Sequence, residues 1–372
     1  MKINLSCKCE PKQNHTMTIT QIKNKIRQKL NRFQIIRDEN RHHQIHEKAA
    51  WNSINKAIAF NGWELTDEMK QSADDYAVRV FGGKEYAPWL YFFSLCQGGF
   101  KEGWIPLNFY SKYVLPDASL VRVSSVKTFS NVVFKTEAFP DVGYYLYGKF
   151  YNRDFSPLTF EEFKRKVARS FEKIFVKEDN SLRGMHIHIF DCEELSEEDF
   201  EPLGNCVIQY PVEQHQFFSD VISGPTAAIR VITVRNLRGA IEHRASYLKF
   251  GRIGHQWYKT TAGIWVAVID DVGRLSSSCF GSGYQKFNAH PDTQVGFEAK
   301  IVPSHKEVVE LSIRLHRTVP HFPIIGWDIA VDCDGNPIVL EWNAGAPHPD
   351  IRFSEASIGP CFTGLGWENL KK

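Results

Sequence analysis

The alternation of apolar and polar positions changes character along the chain. Between Thr20 and Arg37, Ile22, Ile26, Leu30, Phe33 and Ile36 recur at helical steps, with Thr20 placed to cap the helix. Thr66 followed by Asp67 and Glu68 predicts a second helix, ending at Gly82-Gly83. Thr159 with Glu162, and Ser304 with Glu307, have capping-box spacing; they predict helices over about 160–172 and on to about Thr318. Between and around these, runs rich in β-branched residues predict strands over 174–177, 185–190, 206–212, 227–234, 242–250 and 263–269. Two last runs, 324–331 and 337–343, flank Asp334-Gly335 and predict a hairpin. Helices at the front and antiparallel strands later give an α+β chain.

Length and composition narrow the functions. A chain of 372 residues is long enough for two or three lobes and a sizeable core, and it shows no internal repeat. The 45 Lys and Arg residues nearly balance 43 Asp and Glu, which argues against a nucleic-acid partner. Eight irregularly spaced cysteines fit a reduced, cytoplasmic compartment. No signal-like start and no run of about 18 apolar residues point away from export and membrane spanning. The exception is local. Six basic residues and no acid between Met17 and Arg37 make the first helix basic and amphipathic, suited to packing on the remainder or to peripheral contact with an anionic membrane. Cys7-Lys8-Cys9 lacks a second thiol pair, and His42 with His46, though spaced i, i+4, is not read as a metal site. The aromatic stretch from Trp89 to Tyr113 is expected in the core, with a sugar site as the alternative. Neither a phosphate-binding P-loop nor a nucleophile elbow is present.

The chemistry concentrates in the last hairpin. A two-residue turn on Asp334-Gly335 puts Asp328 opposite Glu341, and Asn343 shares the face of Glu341. Three hard oxygen donors then converge without Cys or His, which disfavours zinc and suits Mg²⁺. Facing carboxylates also need a cation or a proton between them. Earlier in the chain, Arg230 interrupts a β-branched run. Burying it demands an anion, either a ligand phosphate or a protein carboxylate such as Glu242 or Asp328.

The hairpin resembles the metal-binding core of the ATP-grasp superfamily. More closely, the chain is similar to the sugar-transfer-associated ATP-grasp family, through Gln214-His215, Ile229-Arg230-Val231-Ile232-Thr233, His290-Pro291-Asp292-Thr293 and Gly326-Trp327-Asp328. The likeness spans about 106–344. It implies an ATP-grasp fold, two α+β lobes clamping ATP. The division expected is a mainly helical region over 1–120, a nucleotide-binding lobe over 121–215, and a metal-binding catalytic lobe over 216–372. It also implies Mg²⁺ on Asp328, Glu341 and Asn343, with Lys127 and Lys177 on the phosphates and a mobile loop over 178–184 in which Arg183 supplies charge. Gln209, Tyr210 and Val212 would border the adenine, and Glu213 or Gln216 the ribose. Lys249, with Arg252 second, would meet the γ-phosphate, and Arg230 would take the role of transition-state cation. That role falls to Arg230 because Gly326 stands where ligases carry an arginine.

The activity implied is ATP-dependent joining of a carboxylate to an amine through an acyl phosphate, in polysaccharide assembly. The substrates would be a small or sugar-linked acid and an amine such as an amino acid. The alternatives are a kinase using His290 as base on a sugar hydroxyl, and a non-catalytic ATP-binding module.

Overall fold

Local signals set most element boundaries. The computed structural model describes residues 19–115, 120, 122–181, 186–259, 262–344 and 351–371, with side chains from residue 34 onward. The Cys7-Lys8-Cys9 pair, the stripe from Ile22 to Phe33 and Arg183 therefore lie outside the described side chains. The described backbone forms two units, meeting between Ile45 and His46. In the first, every described residue is helical and belongs to α1 (Ile19–Asn61). Thr20 thus sits inside the helix instead of capping it, and Ile35, Ile36 and Ile45 are exposed. No described helix is long and apolar enough to cross a membrane.

In the second unit, Thr66 caps α2 (Asp67–Tyr76) as expected, its Oγ1 accepting the Met69 N–H at 3.2 Å. α3 (Ala87–Gln97) is apolar nearly all round and buried. Trp89, Phe92, Phe93, Trp104, Phe109 and Tyr110 are core residues, so the aromatic stretch is packing and not a sugar site. Glu355 is fully buried where the C-terminal helix Arg352–Ser357 meets this core, and it accepts the Ile105 and Cys361 N–H groups.

Two antiparallel sheets follow. The first has the order β3-β2-β1-β6-β4-β5, built from β1 (Asp141–Leu146), β2 (Lys149–Asn152), β3 (Pro157–Leu158), β4 (Lys173–Glu178), β5 (Ile187–Asp191) and β6 (Cys206–Gln209). The capping box at Thr159 and Glu162 forms with both reciprocal bonds. It starts the helix Phe160–Ser170, which buries Phe163 and Val167.

The second sheet has the order β11-β10-β9-β8-β7-β12-β13. Its strands are β7 (Ala228–Arg235), β8 (Ile241–Phe250), β9 (Ile264–Val268), β10 (Leu275–Phe280), β11 (Lys286–Phe287), β12 (Ile324–Val331) and β13 (Pro337–Asn343). Its central strands are buried on both faces. Ile229, Val231, Leu248 and Phe250 pack under the helix His305–Thr318, whereas Ile232, Val234, Ala245 and Tyr247 join the helical core. Ser304 precedes that helix as expected but does not cap it. It is left-handed (φ 54°), and its hydroxyl instead donates to Gly335 O at 2.7 Å, tying the helix start to the hairpin tip.

Under the second sheet, Trp327 Nε1 donates to Thr233 Oγ1 (2.9 Å), which bonds His316 Nδ1 (2.7 Å), while His316 Nε2 donates to Phe322 O (3.0 Å). The bonding needs a neutral imidazole, and burial pushes the His316 pKa down to about 4. Burial and the adjacent His305 likewise lower His243 to about 4. A folded pKa below the unfolded value gives stability that is present above pH ~6.5 and is lost as pH falls toward 4. Urea unfolding at pH 7, 5.5 and 4.5 should show this loss. In His316→Phe, its slope with pH should be shallower than in the unsubstituted chain.

Candidate active site

The site lies where the strand exit from the first sheet meets the polar face of the second. Past Gln209 the chain leaves β6 and runs along the hairpin tip, where Cys333 N donates to Glu213 O and His215 N donates to Val331 O, each at 2.9 Å. A cavity of about 230 Å³ opens there, lined from the first sheet by Lys177, Gln209 and Tyr210, and from the second by Arg230, Lys249, Asp328, Glu341 and Asn343.

The hairpin achieves the expected facing of Asp328 and Glu341 by an unexpected route. Near the tip, Val331 pairs with Pro337 and Ile329 with Val339, one residue out of the register that a two-residue turn predicts. A bulge then leaves Leu340 unpaired and restores Asp328 opposite Glu341. Its consequence is chemical. Val339 and Trp342 face the core, while Glu341 and Asn343 turn into the cavity. The bulged Leu340 carbonyl accepts Lys177 Nζ at 3.4 Å.

Register carries the row onward across the sheet. Glu341 pairs with Asp328, Asp328 with Arg230, and Arg230 with Tyr247. Lys249, two residues beyond Tyr247 on the same face, pairs with Trp265. Arg230 grips Asp328 with two bonds, Nε to Oδ1 at 2.7 Å and an amino nitrogen to Oδ2 at 2.8 Å. Lys249 Nζ donates to the same Oδ1 at 2.7 Å. Of the two partners weighed for Arg230, Asp328 is therefore the one it meets; Glu242 pairs with Arg244.

Electrostatics follow from this crowding. Burial opposes the Asp328 charge, yet Arg230 and Lys249 outweigh it and hold the carboxyl far below its ordinary range. Burial, with Arg230 alongside, pushes Lys249 down to about 8. Burial also lowers Lys177 and Lys127. With Arg352, five basic side chains line the cavity against two carboxylates, so it suits a polyanion.

The remaining candidates separate cleanly. Lys127 lines the cavity and anchors the strand exit at 178–181, its Nζ donating to Ser181 O (2.9 Å) and Ser181 Oγ (2.8 Å). Tyr210 and Val212 line it too, and Gln209 Nε2 donates to the buried Asp141 at 2.8 Å. Glu213 and Gln216 are exposed and do not line the cavity; Gln216 instead bonds Asp220 at 2.7 Å. Nor does Arg252, whose Nε donates to Asp292 Oδ2 at 2.7 Å. This pair clamps the 290–293 loop, and His290 is fully buried with Nε2 donating to Gly251 O at 3.0 Å. The structure therefore does not bring His290 to the cavity. Sequence reasoning missed the aromatic wall beside Lys249, formed by Tyr247, Trp257, Tyr258, Trp265, Tyr284 and Phe353. Strand alternation back from Lys249 would have given Tyr247, and nothing local signals the rest.

Three oxygen donors on the hairpin can be tested as a cation site. Asp328 has four lone-pair positions and three are used, leaving one on Oδ2. Asn343 Nδ2 is buried without a hydrogen-bond partner among the described residues, which leaves its amide uncommitted. The donor set fits a hard cation such as Mg²⁺ that arrives with an anion.

Residues 197–355 match the family model for sugar-transfer associated ATP-grasp proteins. The likeness to that family is carried by the half of the chain that bears the hairpin. The observed architecture is the α+β one expected, two antiparallel sheets preceded by a helical region. No curated protein matches the chain. Among solved structures, the chain is similar to the biotin carboxylase domain of Hydrogenobacter thermophilus 2-oxoglutarate carboxylase. That match has 14% identity and a TM-score of 0.41, and it covers 68% of this chain and 46% of that one. The D-alanine-D-alanine ligase of Coxiella burnetii gives 13%, 0.37, 67% and 59% respectively. The L-amino acid ligase of Bacillus licheniformis gives 13%, 0.38, 69% and 50%. The chain thus spans about half the length of these proteins, and likeness of this degree says nothing of its substrate.

Proposed function

We propose that the chain is an ATP-dependent ligase that joins a carboxylate to an amine through an acyl phosphate. The observation that carries this reading is the single cross-strand row Glu341–Asp328–Arg230–Tyr247, which sets an oxygen-donor cluster beside buried cations in one cavity. ATP is the polyanion that matches five basic side chains and two carboxylates. Lys127 and Lys177 hold its phosphates, and the wall at Gln209, Tyr210 and Val212 borders the adenine. Asp328, Glu341 and Asn343 would hold Mg²⁺, which when bound offsets charge on the leaving diphosphate.

Arg230 and Lys249 serve the acid. Each exchanges part of its bonding to Asp328 for the incoming carboxylate and orients one carboxylate oxygen toward the γ-phosphorus. That oxygen forms the new P–O bond as the bond to ADP breaks. The amine then attacks the acyl carbon and phosphate leaves, the amine proton passing to solvent. Arg230 stabilises the oxyanion of this second step. Sugar transfer is the association that the family's description names, and assembly of polysaccharides is the setting we infer from it. The basic first helix would give peripheral membrane contact, and the reduced cysteines a cytoplasmic setting. The kinase alternative loses its base, since His290 lies outside the cavity.

Positional isotope exchange tests the first half-reaction. ATP labelled at the β,γ-bridging oxygen should scramble with Mg²⁺ and pooled carboxylates, and stop scrambling in Glu341→Ala. Acid-independent scrambling, or phosphate appearing on an added sugar hydroxyl, would overturn the ligase reading.

A further inference from the structure

The cavity has a second half that the reactions above do not use. Beyond Arg230 and Lys249 the cross-strand rows pass to aromatic residues, Tyr247 opposite Arg230 and Trp265 opposite Lys249. Phe353, from the C-terminal helix, packs on both, with ring centroids 4.6 Å from Tyr247 and 5.6 Å from Trp265. Tyr284 closes the back, 6.4 Å from Trp265 and from Phe353. Tyr247, Tyr284 and Phe353 are buried and form the backing. Trp257, Tyr258 and Trp265 are only partly buried and line the cavity.

This wall is built and held. Tyr258 accepts the Trp265 indole N–H, and its ring lies 5.4 Å from Lys249 Nζ. A Cβ on Gly263 would sit 2.1 Å from Tyr258 Cε2, so only glycine there lets the phenol ring lie against the backbone. The polar groups on the wall are Gln256, Arg352, the hydroxyls of Tyr247, Tyr258 and Tyr284, and Trp257 Nε1, the last buried without a hydrogen-bond partner among the described residues. Six aromatic rings match a ligand with a flat apolar face, and the unpartnered indole N–H matches an oxygen substituent on it.

We infer that the acid substrate carries its carboxylate on a ring with an apolar face, which packs against Trp257, Tyr258 and Trp265 while the carboxylate meets Arg230 and Lys249. The ring is either an aryl group or the apolar face of a pyranose acid; both offer the same flat surface. This inference rests on the ligase reading only in naming the ring-bearing partner as the acid.

The test uses the full chain with Mg²⁺ and a non-hydrolysable ATP analogue, and three acids: phenylacetate, glucuronate and butyrate. Binding is read by calorimetry and by saturation transfer to ligand protons. At least one ring acid should bind about ten-fold tighter than butyrate, with saturation entering its ring protons. Phenylacetate alone would identify an aryl acid, and glucuronate alone a pyranose acid. Trp257→Ala should remove most of that preference, with an unchanged thermal midpoint as the fold control. Trp257→Phe, which keeps a ring and loses the indole N–H, should retain most of it. Equal binding of butyrate and both ring acids, no binding of either ring acid, or no effect of Trp257→Ala would overturn the inference. Isotope exchange separates the two readings. A ring acid that binds without promoting exchange sinks the ligase reading and leaves this subsite standing. Butyrate promoting exchange as well as the ring acids does the reverse.

Discussion

Asp328→Ala is expected to lower folding stability by about 3–5 kcal/mol, the largest effect of any single change in the site. Asp328 is the shared counter-ion of Arg230 and Lys249, and all three are buried. Without it, two cations face each other with no carboxylate at bonding distance. Removing one partner of such a cluster leaves uncompensated charge, which costs more than the cluster contributes. The loss should depend on pH in a defined direction. Lys249 already titrates at about 8, below its ordinary value of ~10.4, because burial and Arg230 disfavour its charge. Losing Asp328 drives it lower still. Between the folded and unfolded pKa values the unfolded chain binds the extra proton, so stability contributed by this group rises with pH. The deficit of Asp328→Ala should therefore be greatest near pH 6 and shrink toward pH 9 as Lys249 sheds its proton. Urea unfolding across that range measures it. Arg230→Met combined with Asp328→Leu should cost clearly less than Asp328→Ala alone. A deficit under 1 kcal/mol, or one that is flat with pH, would show that the cluster is not electrostatically coupled in this way.

Much of this arrangement was legible in the sequence, though not always for the right reason. Capping at Thr66 and Thr159 depends on side-chain bonds within four residues, so local reading suffices there. Ser304 has the same spacing, but its hydroxyl is taken by Gly335, a partner 31 residues away. No local rule sees that competition. The pairing of Asp328 with Glu341 followed from a uniform register that the hairpin does not keep. The tip is displaced by one residue and the Leu340 bulge displaces it back. Two departures cancel at the one position that matters for chemistry. β1 escaped notice because Gly143 interrupts its apolar run. That glycine is required by a close approach, since a Cβ there would meet the Tyr151 carbonyl oxygen at 2.4 Å. The aromatic wall was illegible for a different reason. Its members come from two strands, two loops and the C-terminal helix, and only the folded sheet gathers them. Meanwhile the conspicuous aromatic run from Trp89 to Tyr113 went to the core, where a dense apolar helix has its largest return.

Lys177 should show function and stability moving in opposite directions. Among the described residues its ammonium makes one hydrogen bond, a long one of 3.4 Å to Leu340 O. Three donors on a desolvated cation call for more, and burial accordingly lowers its pKa. Glu341 is the strongest favourable charge on it, and Lys127 opposes it. Such a group destabilises the unliganded chain and gains only when an anion enters. Lys177→Met keeps the aliphatic stem and removes the charge. Its expected result is a gain of about 0.5–2 kcal/mol in urea unfolding without nucleotide. Affinity for ATP with Mg²⁺ should fall about 10- to 100-fold, the loss of one charge-assisted hydrogen bond of 1.5–3 kcal/mol. Calorimetric titration reads the second quantity on the protein used for the first. Lys127→Met gives the contrast. Lys127 already bonds Ser181 twice and so supports the fold, and its removal should cost stability as well as affinity. If Lys177→Met loses stability and binds ATP normally, the amine is a structural tether to the bulge and not a phosphate ligand. The cation that meets the triphosphate would then have to be found among Arg230, Lys249 and Arg352.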